Sequence, residues 1–165
     1  YQKGLILLTM NLATHTAQQI REAFFGRNWT ASSFKDHLGD VSWEQAITEI
    51  PTFNTIAALV YHVNYYMEAI LMVFHEGKLE ASDKYSFDHP PIASQEDWDA
   101  LVNRLYKNAE SFAVEIEKMT NEQMAEDFWE NKFGTLYRNI HGIVEHSHYH
   151  LGQIVFLKKM MKENR

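Results

Sequence analysis

Two histidines in the last part of the chain, His146 and His150, have the spacing of a metal-binding pair on an α-helix. They belong to the stretch HGIVEHSHYHLGQI at 141–154, which contains four of the nine histidines and no proline. Because a helix turns by about 100° per residue, side chains four positions apart share a face and can reach one ion. Gln153 falls on that same face. The spacing also suits two solvated or hydrogen-bonded histidines, so it leaves both interpretations open.

The residues around this pair disfavour several kinds of catalytic site. Position 147, where a zinc protease of the H-E-x-x-H type carries its glutamate, is Ser147. The chain has no glycine-rich phosphate loop and no G-x-S-x-G motif. It also lacks the paired E-x-x-H motifs with which helical bundles hold two iron ions. The pattern therefore favours a site for a single metal ion.

Such a site needs a third ligand from another helix, and the spacing of the residues leaves His62 and His15 as candidates. Three neutral imidazoles with open coordination positions suit Zn²⁺, Ni²⁺ or Fe²⁺. The pattern thus predicts a divalent metal cofactor. It does not assign catalytic residues.

Composition restricts the partners that the chain can have. A formal net charge of -7 without a prominent basic block disfavours nucleic acid. The absence of cysteine excludes disulfides and a cysteine nucleophile, and it is typical of a cytoplasmic protein. No apolar run was found that approaches the ~20 residues of a membrane span, so no membrane association is expected. A small molecule is the expected substrate.

The periodicity of apolar residues predicts the elements that must position these histidines. Four long amphipathic helices are expected, with a long connection between the second and the third and short helices that begin after Ser42 and Thr120. The pattern predicts an all-α four-helix bundle with a long crossover, in a single domain over residues 1–165. The expected long helices span 1–25, 53–76, 94–119 and 135–162.

Two segments of the sequence resemble the DinB-like superfamily. Tyr-His-Leu-Gly-Gln-Ile at 149–154, with His146 before it, is similar to the C-terminal signature of that family. Thr-Ile-Ala-Ala-Leu-Val-Tyr-His at 55–62 resembles its histidine segment on the second helix. The resemblance implies an up-down-down-up bundle and a metal held by His62, His146 and His150.

Some members of that family resemble thiol S-transferases, and on this ground we expect a metal-dependent enzyme that transfers a low-molecular-weight thiol, such as bacillithiol, to a small electrophile. Tyr65, Tyr149 and Gln153 are then candidate pocket or second-shell residues, because they lie on or near the histidine faces. Two alternatives stay open: a metal-dependent hydrolase, and a non-catalytic metal-binding or stress-related bundle.

A homodimer is expected as well. Phe156 and Tyr149 lie on a flank of the last helix away from its main apolar stripe, and exposed apolar groups of this kind are commonly buried by a two-fold partner. The family resemblance implies the same assembly.

Overall fold

The chain folds into α-helices. A computed structural model describes residues 11–163, and in that range it contains seven α-helices, one 3₁₀ turn at Asp83–Tyr85 and no β-strand. Four of the helices are long, as the periodicity predicted, and the all-α prediction is confirmed. The helices are α1 Leu12–Phe25, α2 Phe34–Leu38, α3 Trp43–Ala46, α4 Ile56–Glu76, α5 Gln95–Glu117, α6 Asn121–Met124 and α7 Leu136–Glu163.

Side-chain caps set where these helices begin. The hydroxyl of Thr55 accepts the Ala58 N–H and starts α4 three residues later than predicted. Ser42 forms the predicted capping box in front of α3, and Thr120, predicted to open a short helix, also forms a capping box in front of α6. The first ten residues of the first predicted helix lie outside the described part of the chain. The short helix α2 was predicted only as part of a connection.

The long helices enclose one hydrophobic core. Helix α1 packs against α5 and α7, and α4 packs against the same two helices. The largest fully buried side chains come from all four long helices and from two short ones, which therefore belong to the same core. Among them are Phe24, Phe34, Met67, Phe112, Met124 and Ile154.

Helix α4 is more apolar than the sequence analysis recognised. Among the described residues it alone is long and apolar enough to cross a membrane by length and composition, which corrects the statement that no run approaches that length. In the fold, 67% of its most apolar window is buried inside the protein. Burial between α5 and α7 accounts for its composition, since a helix that is apolar on most sides suits a bundle core.

The connection between α4 and α5 is held against α4 by two neighbouring tyrosines. The Tyr65 hydroxyl accepts the Ser82 N–H at 2.8 Å, and the Tyr66 hydroxyl donates to the Asp83 carboxylate. Further along the connection, Phe87 stacks on His62 with the ring centroids 3.9 Å apart. These contacts bring the crossover to the seam between α4 and α7.

Candidate metal centre

Three histidines from two helices converge at the seam between α4 and α7. His62 is on α4, whereas His146 and His150 lie one turn apart on α7. The His146 Nε2 atom is 3.1 Å from His62 Nε2 and 3.0 Å from His150 Nε2. One nitrogen from each ring lies within 4.8 Å of the other two. His62 and His150 are buried and His146 is half-buried, so the cluster is largely removed from solvent.

The surrounding side chains fix the orientation of the rings. One face of His62 is covered by Phe87, with only 6° between the ring planes. Tyr66 meets both His62 and His146 edge to face, at centroid distances of 5.1 and 5.3 Å. Aromatic contacts of this geometry restrict ring rotation and hold the nitrogens on the inner side of the cluster.

Gln153 determines the tautomer of His150. Its Oε1 atom is an acceptor and lies 2.7 Å from His150 Nδ1, so Nδ1 carries the proton of the neutral ring. The Nε2 lone pair of His150 then points at the other two histidines. In many metal sites, an oxygen that accepts the N–H of a histidine ligand in this way fixes the tautomer and the orientation of its ring.

The three rings do not satisfy one another by hydrogen bonding. His146 Nε2 is within hydrogen-bond distance of two other ring nitrogens, yet a neutral ring nitrogen takes part as one donor or one acceptor. The Nδ1 atoms of His62 and His146 are buried and have no well-aligned hydrogen-bond partner among the described residues. Three converging imidazole nitrogens form a donor set that Zn²⁺, Ni²⁺ and Fe²⁺ accept. The residues therefore fit a divalent metal ion.

Burial keeps the histidines in the uncharged form that binds metal. Burial first, and the proximity of His150 second, lower the pKa of His62 and of His146 to about 4. Burial also lowers the pKa of His150, against the opposing effect of the hydrogen bond with Gln153. At neutral pH all three rings are neutral, so metal binding does not first have to remove a proton.

A cavity of about 490 Å³ opens beside His62 and His146. Its walls are mainly apolar side chains of α4, of α7 and of the connections at 77–94 and 125–135. Asp83 is the one carboxylate among the lining residues that the structure describes. Tyr66 also lines it, and burial together with the hydrogen bond to Asp83 raises the pKa of Tyr66 to about 12. A small molecule in this cavity lies next to the histidine cluster.

The other residues singled out in the sequence occupy different places. Gln153 contacts the cluster through His150. Tyr149 packs its ring edge against His150 but is 65% exposed and does not line the cavity. Tyr65 is engaged with the Ser82 backbone and is also absent from the cavity wall. His15 lies exposed on α1, outside the group of three.

Among the residues that contact the histidines or line the cavity, sequence reasoning did not single out Tyr66, Asp83 or Phe87. Tyr66 is four residues after His62 on α4, so the helical spacing used for His146 and His150 would have identified it. Asp83 and Phe87 lie in the long connection, where no periodic signal reports which way a side chain points. Only the path of the crossover brings them to the cluster.

This combination of an all-α fold and a buried three-histidine cluster defines a helical protein with a candidate metal centre. The family model of the DinB superfamily matches residues 12–154, which include all three histidines and Gln153. The chain belongs to the DinB superfamily, as the two sequence segments indicated. The comparisons with curated proteins and with solved structures gave no match.

Proposed function

We propose that the protein is a divalent-metal-dependent enzyme that transfers a small thiol to an electrophile bound in the cavity. The observation that carries the proposal is the convergence of three neutral imidazoles at one wall of an apolar cavity. His62, His146 and His150 would hold the metal through Nε2, with Gln153 fixing the tautomer of His150. When bound, such an ion lowers the pKa of a thiol or water that occupies an open coordination position.

The thiol has to come from solution, because the chain contains no cysteine. In the proposed transfer the S–H bond breaks, a C–S bond forms at the electrophilic carbon, and a leaving group such as chloride departs. The proton passes to solvent or to a nearby carboxylate. The apolar walls of the cavity exclude water around the electrophile and favour small, poorly hydrated molecules.

A specific observation favours hydrolysis as the second candidate function. The sequence lacks the glutamate of an H-E-x-x-H motif, but the structure brings the carboxylate of Asp83 to the cavity from the crossover. A carboxylate beside the substrate can accept the proton of an attacking water. An ester placed in the cavity would then gain a C–O bond from the water oxygen and lose its alcohol.

A parallel assay tests these two functions. Metal-loaded protein is incubated with bacillithiol, glutathione or cysteine and with either monochlorobimane or a chlorinated nitrobenzene, and separately with 4-nitrophenyl esters. Transfer is expected with at least one thiol and is expected to be lost on chelation and in His62→Ala. The matched control His15→Ala changes a histidine outside the cluster and should retain the parent rate. A conjugation rate that is unaffected by both chelation and His62→Ala rejects the proposal, and metal-dependent ester cleavage alone favours the second candidate.

We further propose that the four long helices follow the up-down-down-up order implied by the sequence resemblance. Contacts between helices support antiparallel α1 and α5, parallel α4 and α5, and antiparallel α4 and α7. For α1 and α5 the pairs are Phe25 with Tyr106 and Arg21 with Glu117. For α4 and α5 they are Asn64 with Asn108 and His75 with Glu115. For α4 and α7 they are His62 with His146, and Phe53, which precedes α4, with Phe156.

The homodimer predicted from the sequence is also proposed. Phe53 and Phe156 pack together at a centroid distance of 6.1 Å while remaining 46% and 53% exposed. Tyr149, seven residues before Phe156 on α7 and therefore on a similar face of the helix, is also exposed. Light scattering at micromolar concentration should give the mass of two chains for the parent protein. The Phe156→Glu variant should have the mass of one chain. Trp29→Glu, which changes a fully exposed aromatic ring elsewhere, should leave the dimer intact. A parent protein with the mass of one chain contradicts the assembly.

A further inference from the structure

The fixed charge of the cavity beside the histidine cluster is negative. Asp83 lines it, and none of the described lining residues is a lysine or an arginine. The guanidinium that approaches the lining residue Gly142 belongs to Arg138, which is ion-paired with Glu145 at 3.0 Å. Among the described residues, the cavity lining therefore offers no unpaired side-chain cation with which to hold an anionic ligand.

Among the described lining residues, the side-chain groups that remain open to a ligand are acceptors. The Tyr66 hydroxyl is used as a donor to Asp83 Oδ1, a bond that does not engage Asp83 Oδ2. The Asn139 amide donates both its N–H groups, to the backbone carbonyls of Phe133 at 3.0 Å and Thr135 at 2.9 Å. These two bonds do not involve the Asn139 side-chain oxygen, which is an acceptor.

The histidine side chains offer no accessible hydrogen-bond donor to a ligand in the cavity. The Nδ1 atoms of His62 and His146 are buried, and the Nε2 atoms face one another inside the cluster. A polar ligand in the cavity therefore meets oxygen acceptors, and it has to bring the donor itself. The remaining wall is apolar, formed by Ala69, Ile70, Leu79, Phe128, Phe133 and Ile143.

We propose that the cavity selects a small neutral molecule with an apolar body and one hydroxyl or N–H group, which donates its hydrogen bond to Asp83. The inference rests on the proposed function in one respect, namely that the cavity holds the substrate. In the proposed function a divalent ion on the histidines disfavours a cationic ligand, and the thiolate bound to that ion offsets the attraction that the ion would exert on an anionic one. An apolar molecule without a donor fits the walls but leaves the Asp83 carboxylate without a partner from the ligand.

Two probes of nearly equal size test this selectivity in metal-free protein. 4-Methylphenol carries a hydroxyl where 4-fluorotoluene carries a fluorine, so the pair differs mainly in the donor. Dissociation constants are measured from the shifts of backbone amide signals during NMR titration. We expect 4-methylphenol to bind roughly three- to tenfold more tightly, as for one hydrogen bond to a partly solvated carboxylate. The affected signals should include Ile70 and Ile143, which line the cavity.

Variants assign the selectivity to Asp83. Asp83→Ala should bring the two dissociation constants to within about a factor of two. Tyr66→Phe removes the hydroxyl that binds Asp83 but keeps the Asp83 carboxylate, so this variant should still prefer 4-methylphenol. It also controls for any loosening of the crossover, because it removes the same hydrogen bond as Asp83→Ala. Asp88→Ala, an exposed carboxylate of the same connection that does not line the cavity, should behave as the parent.

Several results would overturn the inference. They are equal binding of the two probes by the parent protein, an undiminished preference in Asp83→Ala, and tighter binding of 4-methylbenzoate than of 4-methylphenol. Because the measurement uses neither metal nor turnover, it is independent of the proposed function. A donor preference in a protein without metal-dependent activity rejects the function alone, whereas activity without a donor preference rejects this inference alone.

Discussion

Helix α4 carries a polar cluster on each of two sides, and the two clusters differ in how their hydrogen bonds are satisfied. Towards α5, Asn108 donates to Asn64 at 2.9 Å and to Glu68 at 2.6 Å, and Arg104 binds the same glutamate through two nitrogens. Towards α7, His62 and its two partners direct nitrogen atoms at one another, and the buried Nδ1 atoms of His62 and His146 have no well-aligned hydrogen-bond partner among the described residues.

This difference separates a structural network from a candidate site. Donors meet acceptors and a cation meets an anion in the α4–α5 cluster, so it is complete without any further component. The α4–α7 cluster consists of three imidazoles whose ring nitrogens face one another and cannot all be paired by hydrogen bonds. A cation bound among them would be coordinated by their lone pairs. Changes in the two clusters should therefore separate stability from metal binding.

The largest effect is expected when a ligand is removed from the histidine cluster. His146→Ala deletes the ring that contacts both of the other two, and metal affinity should fall on the order of 1,000-fold. Metal analysis of protein purified without a histidine tag gives the stoichiometry. Asn108→Ala, on the other side of α4, should keep the parent stoichiometry. If His146→Ala also keeps it, the metal site is wrongly placed.

Next in size is the pH dependence of stability in metal-free protein. The pKa of His62 is about 4 in the fold and 6.5 as its ordinary value, so the unfolded chain binds more protons between these limits. The free energy of unfolding should therefore decrease as pH falls from 6.5 to 4, by on the order of 3 kcal/mol for this buried ring.

Urea unfolding at pH 7 and at pH 4.5 measures this decrease. In His62→Gln, which has no titrating ring at that position, the loss between the two pH values should be smaller. His141→Gln, a change outside the cluster, should show the same loss as the parent. An equal loss in His62→Gln would show that carboxyl groups elsewhere cause the acid sensitivity.

A smaller effect on metal binding is expected from the residue that fixes the His150 tautomer. Gln153→Ala removes the acceptor at 2.7 Å from Nδ1 and should weaken metal affinity by roughly 10- to 100-fold. The metal affinity of each variant is measured by competition with a chromophoric chelator for the metal ion. Gln18→Ala, at an exposed position of α1, serves as the matched control. Unchanged affinity in Gln153→Ala would mean that other contacts orient the ring.

The smallest effect concerns the complete cluster between α4 and α5. Asn108→Ala leaves the buried Asn64 amide without this partner and should lower the free energy of unfolding by about 1–2 kcal/mol. Asn103→Ala, at an exposed position on the same helix, should change the free energy of unfolding little. Denaturant titration compares the two. A loss of metal affinity in Asn108→Ala would contradict the separation of the two clusters.

Local patterns in the sequence determined much of this protein. The helical period placed His146, His150 and Gln153 on one face of one helix, and this relation does not depend on the rest of the fold. The capping residues Ser42 and Thr120 located two short helices, because a cap is a contact between residues three apart. The amphipathic stripes indicated four long helices and their shared core.

Helical spacing left His62 and His15 open as the third histidine; the family resemblance indicated His62, and the tertiary structure brings it to the pair. His62 and His146 are 84 positions apart, and helical periodicity says nothing about which helices are neighbours. The packing of α4 on α7 brings His62 to the pair and leaves His15 exposed on α1. Asp83 and Phe87 reach the site because the tyrosines of α4 hold an irregular connection in place. Distances between segments depend on packing of the whole chain, whereas the sequence patterns report relations within one helix.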